Sequence, residues 1–366
     1  MTITAPARVV VADDSAMMRA IVTNSLKLAG VEVVGSAANG DEALALCERV
    51  RPDAMTLDLA MPGLDGIGVL RALRLRGDCS VPVVVVSAFS PAHGARAVDA
   101  LAEGAFDLVA KPAIGEGLDT FKTSLGEKIA AAVQAGRCRV STSTPTLPAR
   151  PASRRAVTVT APTGGGLSAG RSEGRTATQK VVVIATSTGG PRALASLMPK
   201  LPGRLGSGTL IVQHMPPGFT NSLATRLNGT SALTVRESAG GEILDAYTAL
   251  LAPGGLHLRL RSDGRTTLSD EDAIGGLRPR ADLLIEDAAK LFGERLLLVV
   301  MTGMGCDGLR GAREVRQRGG RIFVESQETC TVYGMPRAIA DAGLADEILP
   351  LDALAAAIAV EAGGPR

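Results

Sequence analysis

The sequence predicts two α/β domains, each a largely parallel sheet covered by helices, separated by a flexible basic linker. Three observations lead there. In both halves of the 366-residue chain, short Val-rich runs alternate with amphipathic stretches, the pattern of parallel strands joined by helical crossovers. Aromatic residues amount to only 2% and Trp is absent, so both cores must be built from Val, Leu, Ile and Ala, as in strands buried on both faces. Between the halves, residues 137–179 are rich in Pro, Gly, Ser and Thr and hold one acid, Glu173, against seven arginines. Such a segment buries too little apolar surface to offset the entropy of ordering. It reads as a tether, with contact between its arginines and an acidic partner as the open alternative.

In the first domain, residues 1–136, strands are expected at 8–12, 31–34, 54–57, 83–86 and 108–110. Helical patterns fall at 17–28, 41–49, 66–76, 95–102 and 118–135. Five strands in this alternation make a doubly wound, five-stranded parallel sheet. In the second domain, residues 180–366, strands are expected at 181–185, 210–213, 247–252, 257–260, 296–301 and 321–324, with helices between. It too reads as α/β and largely parallel.

A formal net charge of +2 and so few aromatics argue against nucleic acid, which needs a basic face and rings that stack on bases. The cysteines, Cys47, Cys79, Cys138, Cys306 and Cys330, include no CxxC and no Cys/His pair at metal-ligand spacing. Neither a disulfide framework nor a zinc site is expected. No apolar run approaches the roughly 18 residues that span a bilayer, and MTITAPARVVVADDS does not read as a signal peptide. A cytoplasmic location without membrane insertion is the expectation.

Ligands of a doubly wound sheet bind beyond the carboxyl ends of its strands. In the first domain each of four such ends carries a polar residue. The first strand runs into Asp13 and Asp14, the third into Asp58, the fourth into Ser87 and the fifth into Lys111. Clustered carboxylates repel one another unless a cation neutralises them, and hard oxygen ligands suit Mg²⁺. With the metal bound, one carboxylate can attack a phosphoryl group. Lys111 and Ser87 would then hold the new phosphoryl oxygens. The segments VVADDS, LDLAMPGLDG, VVVVSA and GAFDLVAKP resemble the receiver domain of response regulators over about residues 8–135. That resemblance implies a flavodoxin-like fold, Asp58 as phosphoacceptor, and Mg²⁺ held by Asp13, Asp14 and Asp58 with the Ala60 carbonyl. It also implies Ser87 and Lys111 as switch residues and a histidine kinase as phosphodonor. Leu108 departs from the pattern, standing where receivers usually carry an aromatic.

The second domain opens with a strand, a tight turn at Ser187-Thr188-Gly189-Gly190, and Pro191 at a first helical position. A Ser there sits at a strand end beside helix amides. The G-x-S-x-G pattern is only partly met, because Ala185 occupies the first Gly position, and an anion-binding turn is an equal reading of this stretch alone. A nucleophilic Ser needs a base. Of the three histidines, His214 follows an apolar strand and is favoured over His93 in the first domain and over His257, which reads as a half-exposed strand residue. Asp307, after the strand ending near Met301, is the candidate to orient the imidazole, with helix capping as its alternative role. The chain order Ser, His, Asp matches neither the α/β-hydrolases nor chymotrypsin nor subtilisin.

The segments ATSTGGPRAL, QHMPPGFT, LAPGGLHLRL, MTGMGCDG and VYGMPRAI, in this order behind a receiver, closely resemble the chemotaxis protein-glutamate methylesterase family. The resemblance implies a Rossmann-like hydrolase domain with Ser187 as nucleophile, His214 as base and Asp307 as orienter. It places oxyanion support around Thr188 and the Met304 backbone N–H, without an esterase cofactor. It implies demethylation of glutamyl methyl esters and deamidation of Gln on methyl-accepting chemoreceptors, under phosphoryl control by the receiver. Three positions depart from the pattern: Ala185 for Gly, Cys306 for Asn, and Arg278-Pro279-Arg280-Ala281-Asp282 against the usual His-Arg-Pro-Ser-Val-Asp. They keep two alternatives in view, a catalytically idle receptor-binding module and a thiol hydrolase using Cys306. A transcriptional output is disfavoured, because no helix-turn-helix pattern follows the linker.

Overall fold

The computed structural model describes residues 6–75, 81–88, 91–112, 118–141 and 179–363. The linker assignment falls mainly on residues outside these spans.

The N-terminal domain begins with β1 (Arg8–Ala12), α1 (Ala16–Leu28), β2 (Glu32–Ala37), α2 (Gly40–Val50) and β3 (Ala54–Leu57). It continues with α3 (Gly66–Leu75), β4 (Val83–Ser87), α4 (Pro91–Ala102), β5 (Asp107–Ala110) and α5 (Leu118–Ser141). The sheet order is β2-β1-β3-β4-β5 and every pair is parallel. Its strands are buried because β-branched runs such as RVVVA and VVVVS lie between two helical layers. Helix starts follow local chemistry. The Ser15 hydroxyl caps α1 through the Met18 amide; at α2 the Asn39 side chain accepts from the Glu42 amide, and the Glu42 carboxylate accepts from the Ala38 amide. The chain reverses order between β1 and β3, so the crevice at their carboxyl ends lies beside Asp13 and Asp58.

The C-terminal domain comprises β6 (Val181–Thr186), α6 (Gly190–Leu197), β7 (Thr209–Gln213), α7 (Phe219–Asn228), β8 (Thr234–Glu237) and β9 (Thr248–Leu251). Next come β10 (His257–Leu260), β11 (Thr266–Ser269), α8 (Ala281–Phe292), β12 (Leu296–Val300) and α9 (Leu309–Gln317). It closes with β13 (Arg321–Glu325), α10 (Met335–Asp341), β14 (Glu347–Leu349) and α11 (Leu351–Glu361). Seven parallel strands run β14-β13-β12-β6-β7-β9-β8. Here the order reverses between β6 and β12. The short, polar strands β8 and β14 at the sheet edges carry little periodic signal in the sequence. The expected strand at 257–260 forms instead an antiparallel hairpin with β11, outside the main sheet.

That hairpin is tied down by Glu242. Its carboxylate accepts from the Ala239 amide (2.7 Å), the Ser238 hydroxyl (2.9 Å) and the Thr266 hydroxyl. Burial alone would raise its pKa, but these donors pull it from 4.5 down to about 2. A depressed carboxylate stabilises the fold fully above its unfolded value and loses that contribution as pH falls through the folded one. Glu242→Gln should therefore destabilise the domain by about 1–3 kcal/mol near neutral pH. In urea melts the gap to wild type should narrow as pH falls from about 4.5 towards 2.

Candidate functional site

At the first crevice, Asp13 and Asp58 are buried and Asp14 is exposed, and their carboxylate oxygens lie within 4.8 Å of one another. Lys111 Nζ sits 2.8 Å from Asp13 Oδ2 and 2.9 Å from Asp58 Oδ2. Burial raises the Asp13 pKa. Burial alone would lower that of Lys111, but the two carboxylates outweigh it and raise it. Ser87 Oγ is buried without a hydrogen-bond partner among the described residues. Three carboxylates thus face one ammonium, and the excess negative charge with all-oxygen donors fits a hard divalent cation. Ala60 lies exposed, two residues beyond Asp58.

The second crevice is built by three neighbouring strands. Thr186 on β6 pairs in register with Gln213 on β7, so Ser187 and His214 are the next residues along two adjacent strands. On the other side, Val300 of β12 pairs with Ala185, and the Ser187 amide donates to Thr302 O at 3.0 Å. The Gln213 side chain joins the two ends, donating to Ser187 O (2.9 Å) and His214 O (3.1 Å) and accepting from the Thr186 hydroxyl (2.6 Å). Glycine is needed where backbones crowd here. A Cβ on Gly190 would lie 1.9 Å from Gln213 Oε1, and one on Gly303 would lie 2.8 Å from the Ser187 Cβ.

His214 Nε2 lies 2.8 Å from Asp307 Oδ2, while its Nδ1 is buried with no hydrogen-bond partner among the described residues. Asp307 also accepts from the Ala281 amide (2.7 Å) and the Asp282 amide (3.0 Å) at the start of α8. The capping role expected for Asp307 thus falls on α8, not on the helix that follows it, and the same carboxylate meets the imidazole. Burial would raise its pKa, but the His214 contact and the two amides hold it well below the usual carboxylate range. Asp282 returns the arrangement by accepting from Gly308 N and Gly311 N at the start of α9, both at 2.9 Å.

His257 is fully buried, not half-exposed, because the β10–β11 hairpin folds back against α8. Its Nδ1 accepts from the Arg280 amide. Cys306 is an exposed free thiol. Ala185 is buried within the sheet, and its methyl is accommodated there.

The two crevices are linked through a shared face. The Thr188 hydroxyl donates to Asp107 Oδ2 of β5 at 2.6 Å, and Lys128 of α5 lies 2.8 Å from Asp107 Oδ1. Met304 and Val332 pack against the N-terminal core cluster that contains Phe106 and Ala131. Helix α4 rests on α7 and α6, Asp99 pairs with Arg226, and a Cβ on Gly94 would lie 2.8 Å from Ser222 Oγ. Sequence reasoning did not single out Gln213, Thr302 or Asp107. Asp107 had a visible signal, an acid inside an otherwise apolar strand run. Gln213 had another, as a polar residue closing a strand of Leu, Ile and Val.

Comparison with known proteins bears on both halves. The family described as response regulator receiver domain matches residues 9–120, and CheB methylesterase matches residues 182–358. The chain is 40% identical over 357 residues to a protein-glutamate methylesterase/protein-glutamine glutaminase of Symbiobacterium thermophilum, spanning 96% of each. Its counterpart in Geobacillus kaustophilus is 39% identical, covering 96% of this chain and 97% of that protein. Among solved structures, the Thermotoga maritima CheB methylesterase catalytic domain is 42% identical, covering 49% of this chain and 97% of that one, with a TM-score of 0.48. The response regulator domain of Thermotoga maritima CheB is 32% identical, covering 36% and 98%, with a TM-score of 0.32.

Proposed function

This chain belongs to the protein-glutamate methylesterase/protein-glutamine glutaminase family, and from that premise we propose that it demethylates glutamyl methyl esters and deamidates glutamine on chemoreceptors, under phosphoryl control, in chemotaxis adaptation. The observation that carries the esterase reading is the orientation of His214. Asp307 occupies Nε2, which leaves Nδ1 as the free base at the strand end next to Ser187.

In the mechanism, Ser187 Oγ attacks the γ-carbonyl carbon as His214 Nδ1 accepts its proton. The imidazolium that forms is stabilised by the Asp307 carboxylate. Amide donors around Thr188 and Met304 hold the oxyanion. The tetrahedral intermediate collapses, and His214 returns the proton to the departing oxygen, so methanol leaves; from glutamine the leaving group is ammonia. Water then attacks the acyl-enzyme with His214 as base, releasing a glutamate carboxylate and restoring Ser187. None of these steps needs an esterase cofactor.

In the receiver, Asp13, Asp14 and Asp58, with the Ala60 carbonyl, would hold Mg²⁺, which neutralises phosphoryl oxygens during transfer to Asp58. Lys111 and Ser87 would bind the oxygens of the resulting acyl phosphate, and a histidine kinase is the expected donor. Among the described residues no helix is long and apolar enough to cross a membrane, which suits an enzyme that meets receptors from the cytoplasmic side.

Methanol release from a methylated receptor preparation tests this reading. Wild-type protein should produce methanol in step with loss of receptor methyl label. A protein that binds receptor without releasing methanol, even with phosphodonor and Mg²⁺, would instead be an idle receptor-binding module.

A further inference from the structure

We propose that Arg280 is a positioning residue for the esterase reaction, its guanidinium offsetting part of the charge of the Asp307 carboxylate and so setting the pH at which His214 works as a base. The inference rests on the Ser187–His214–Asp307 reading and extends it to a residue outside the triad.

Two carboxylates, Asp282 and Asp307, are buried at the facing starts of α8 and α9, each accepting amide hydrogens from the other's segment. Backbone amides solvate both carboxylates, and a nearby cation offsets part of their mutual repulsion. Arg280, the residue immediately before α8, supplies the charge. Its Nε lies 2.9 Å from Asp307 Oδ1 and an Nη donates to Asp282 Oδ2 at 3.0 Å. The Nε–H is not aimed along its line to Asp307, so that contact is an ion pair and not a directed hydrogen bond.

The arginine is itself fixed. Its backbone amide donates to His257 Nδ1 (3.1 Å), another Nη donates to Ile274 O (3.0 Å), and its side chain is 17% exposed. Asp307 thus receives Arg280 at Oδ1 and His214 at Oδ2. Among the described residues, the imidazole is paired with Asp307, which in turn meets Arg280, with Asp282 on the other side of Arg280 and His257 behind the Arg280 amide. Nearby Arg278 is directed away, to the carbonyls of Asp270 and Glu271, and the Cys306 thiol is exposed.

The sign follows from the charges. A guanidinium beside Asp307 offsets part of the negative charge that would stabilise the imidazolium, so His214 keeps its basic form to lower pH. In Arg280→Gln that offset is lost, the imidazolium is favoured, and the acidic limb of kcat/KM moves to higher pH by about one unit. At a pH on that limb the rate should fall about tenfold, while KM for methylated receptor stays near wild type. Arg280→Lys, which keeps the charge, should return the limb most of the way.

The position of the limb does not depend on how much of the variant folds, so a low yield of Arg280→Gln leaves the test intact. A limb that stays at the wild-type pH in Arg280→Gln, or one that moves equally far in Arg280→Lys, overturns the inference. Ser187→Ala assayed in parallel separates the two levels. If it retains turnover, the triad reading fails; if it is inactive while the limb stays fixed in Arg280→Gln, the Arg280 role alone fails.

Discussion

Ser187→Ala should lower methanol release by about 10⁴–10⁶-fold, because a nucleophile and its base act as a unit whose loss is not shared out among other groups. The expectation rests on strand register. Ser187 and His214 follow directly after the paired residues Thr186 and Gln213, and Gln213 ties both ends together through a buried amide. Removing the hydroxyl leaves this frame in place, so folding and receptor binding should survive. Cys306→Ala is the companion variant. The thiol adjoins Asp307 in sequence but is exposed and lies outside the His214–Asp307 contact, so its loss should leave the rate close to wild type. The opposite pair of results would make the protein a thiol hydrolase.

A phosphodonor with Mg²⁺ should stimulate the wild-type esterase roughly 5–150-fold, the range that a coupling of about 1–3 kcal/mol between closed and open states provides. Asp58→Asn should show the same rate with and without donor. The contacts that join the two crevices are those a closed state would use. Asp107 accepts from the hydroxyl of Thr188, the residue next to the nucleophile, and Met304 packs against the N-terminal core. A hydrogen bond to a charged group contributes about 1.5–3 kcal/mol, so Asp107→Ala should raise the unstimulated rate roughly 10–100-fold. Leu108 is a buried core residue, whereas Arg96 on α4 donates to Leu59 O (3.2 Å) and pairs with Asp65 (2.6 Å), just beyond Asp58. The same helix carries Asp99, paired with Arg226 across the interface. Phosphoryl oxygens at Asp58 would compete for Lys111, which pairs here with Asp13 and Asp58, and Arg96 joins the segment after Asp58 to helix α4. Stimulation by donor in Asp58→Asn equal to that of wild type would show that control runs by another path.

Much of this was legible because strand ends in parallel sheets collect chemistry. Apolar runs such as VVVVS and LLLVV name their strands, and the residue that breaks each run falls at the crevice, as Ser87, Ser187 and His214 do. The edge strands β8 and β14 were not legible, since TVRE and EIL are short and half-polar. The hairpin containing His257 was misjudged for a related reason. Alternation in HLRL marks one buried face but does not say which layer covers it, and here α8 buries the histidine. The role of Arg280 depends on two helix starts meeting, which local pattern does not encode.

One time course of methanol release from methylated receptor, begun without phosphodonor and continued after adding a small phosphodonor with Mg²⁺, tests both sites together. Wild-type protein should give a slow initial slope that steepens severalfold on addition. A slope that is zero throughout, or one that is present but unchanged by donor, would contradict the pairing of a phosphoryl switch at Asp58 with an esterase at Ser187.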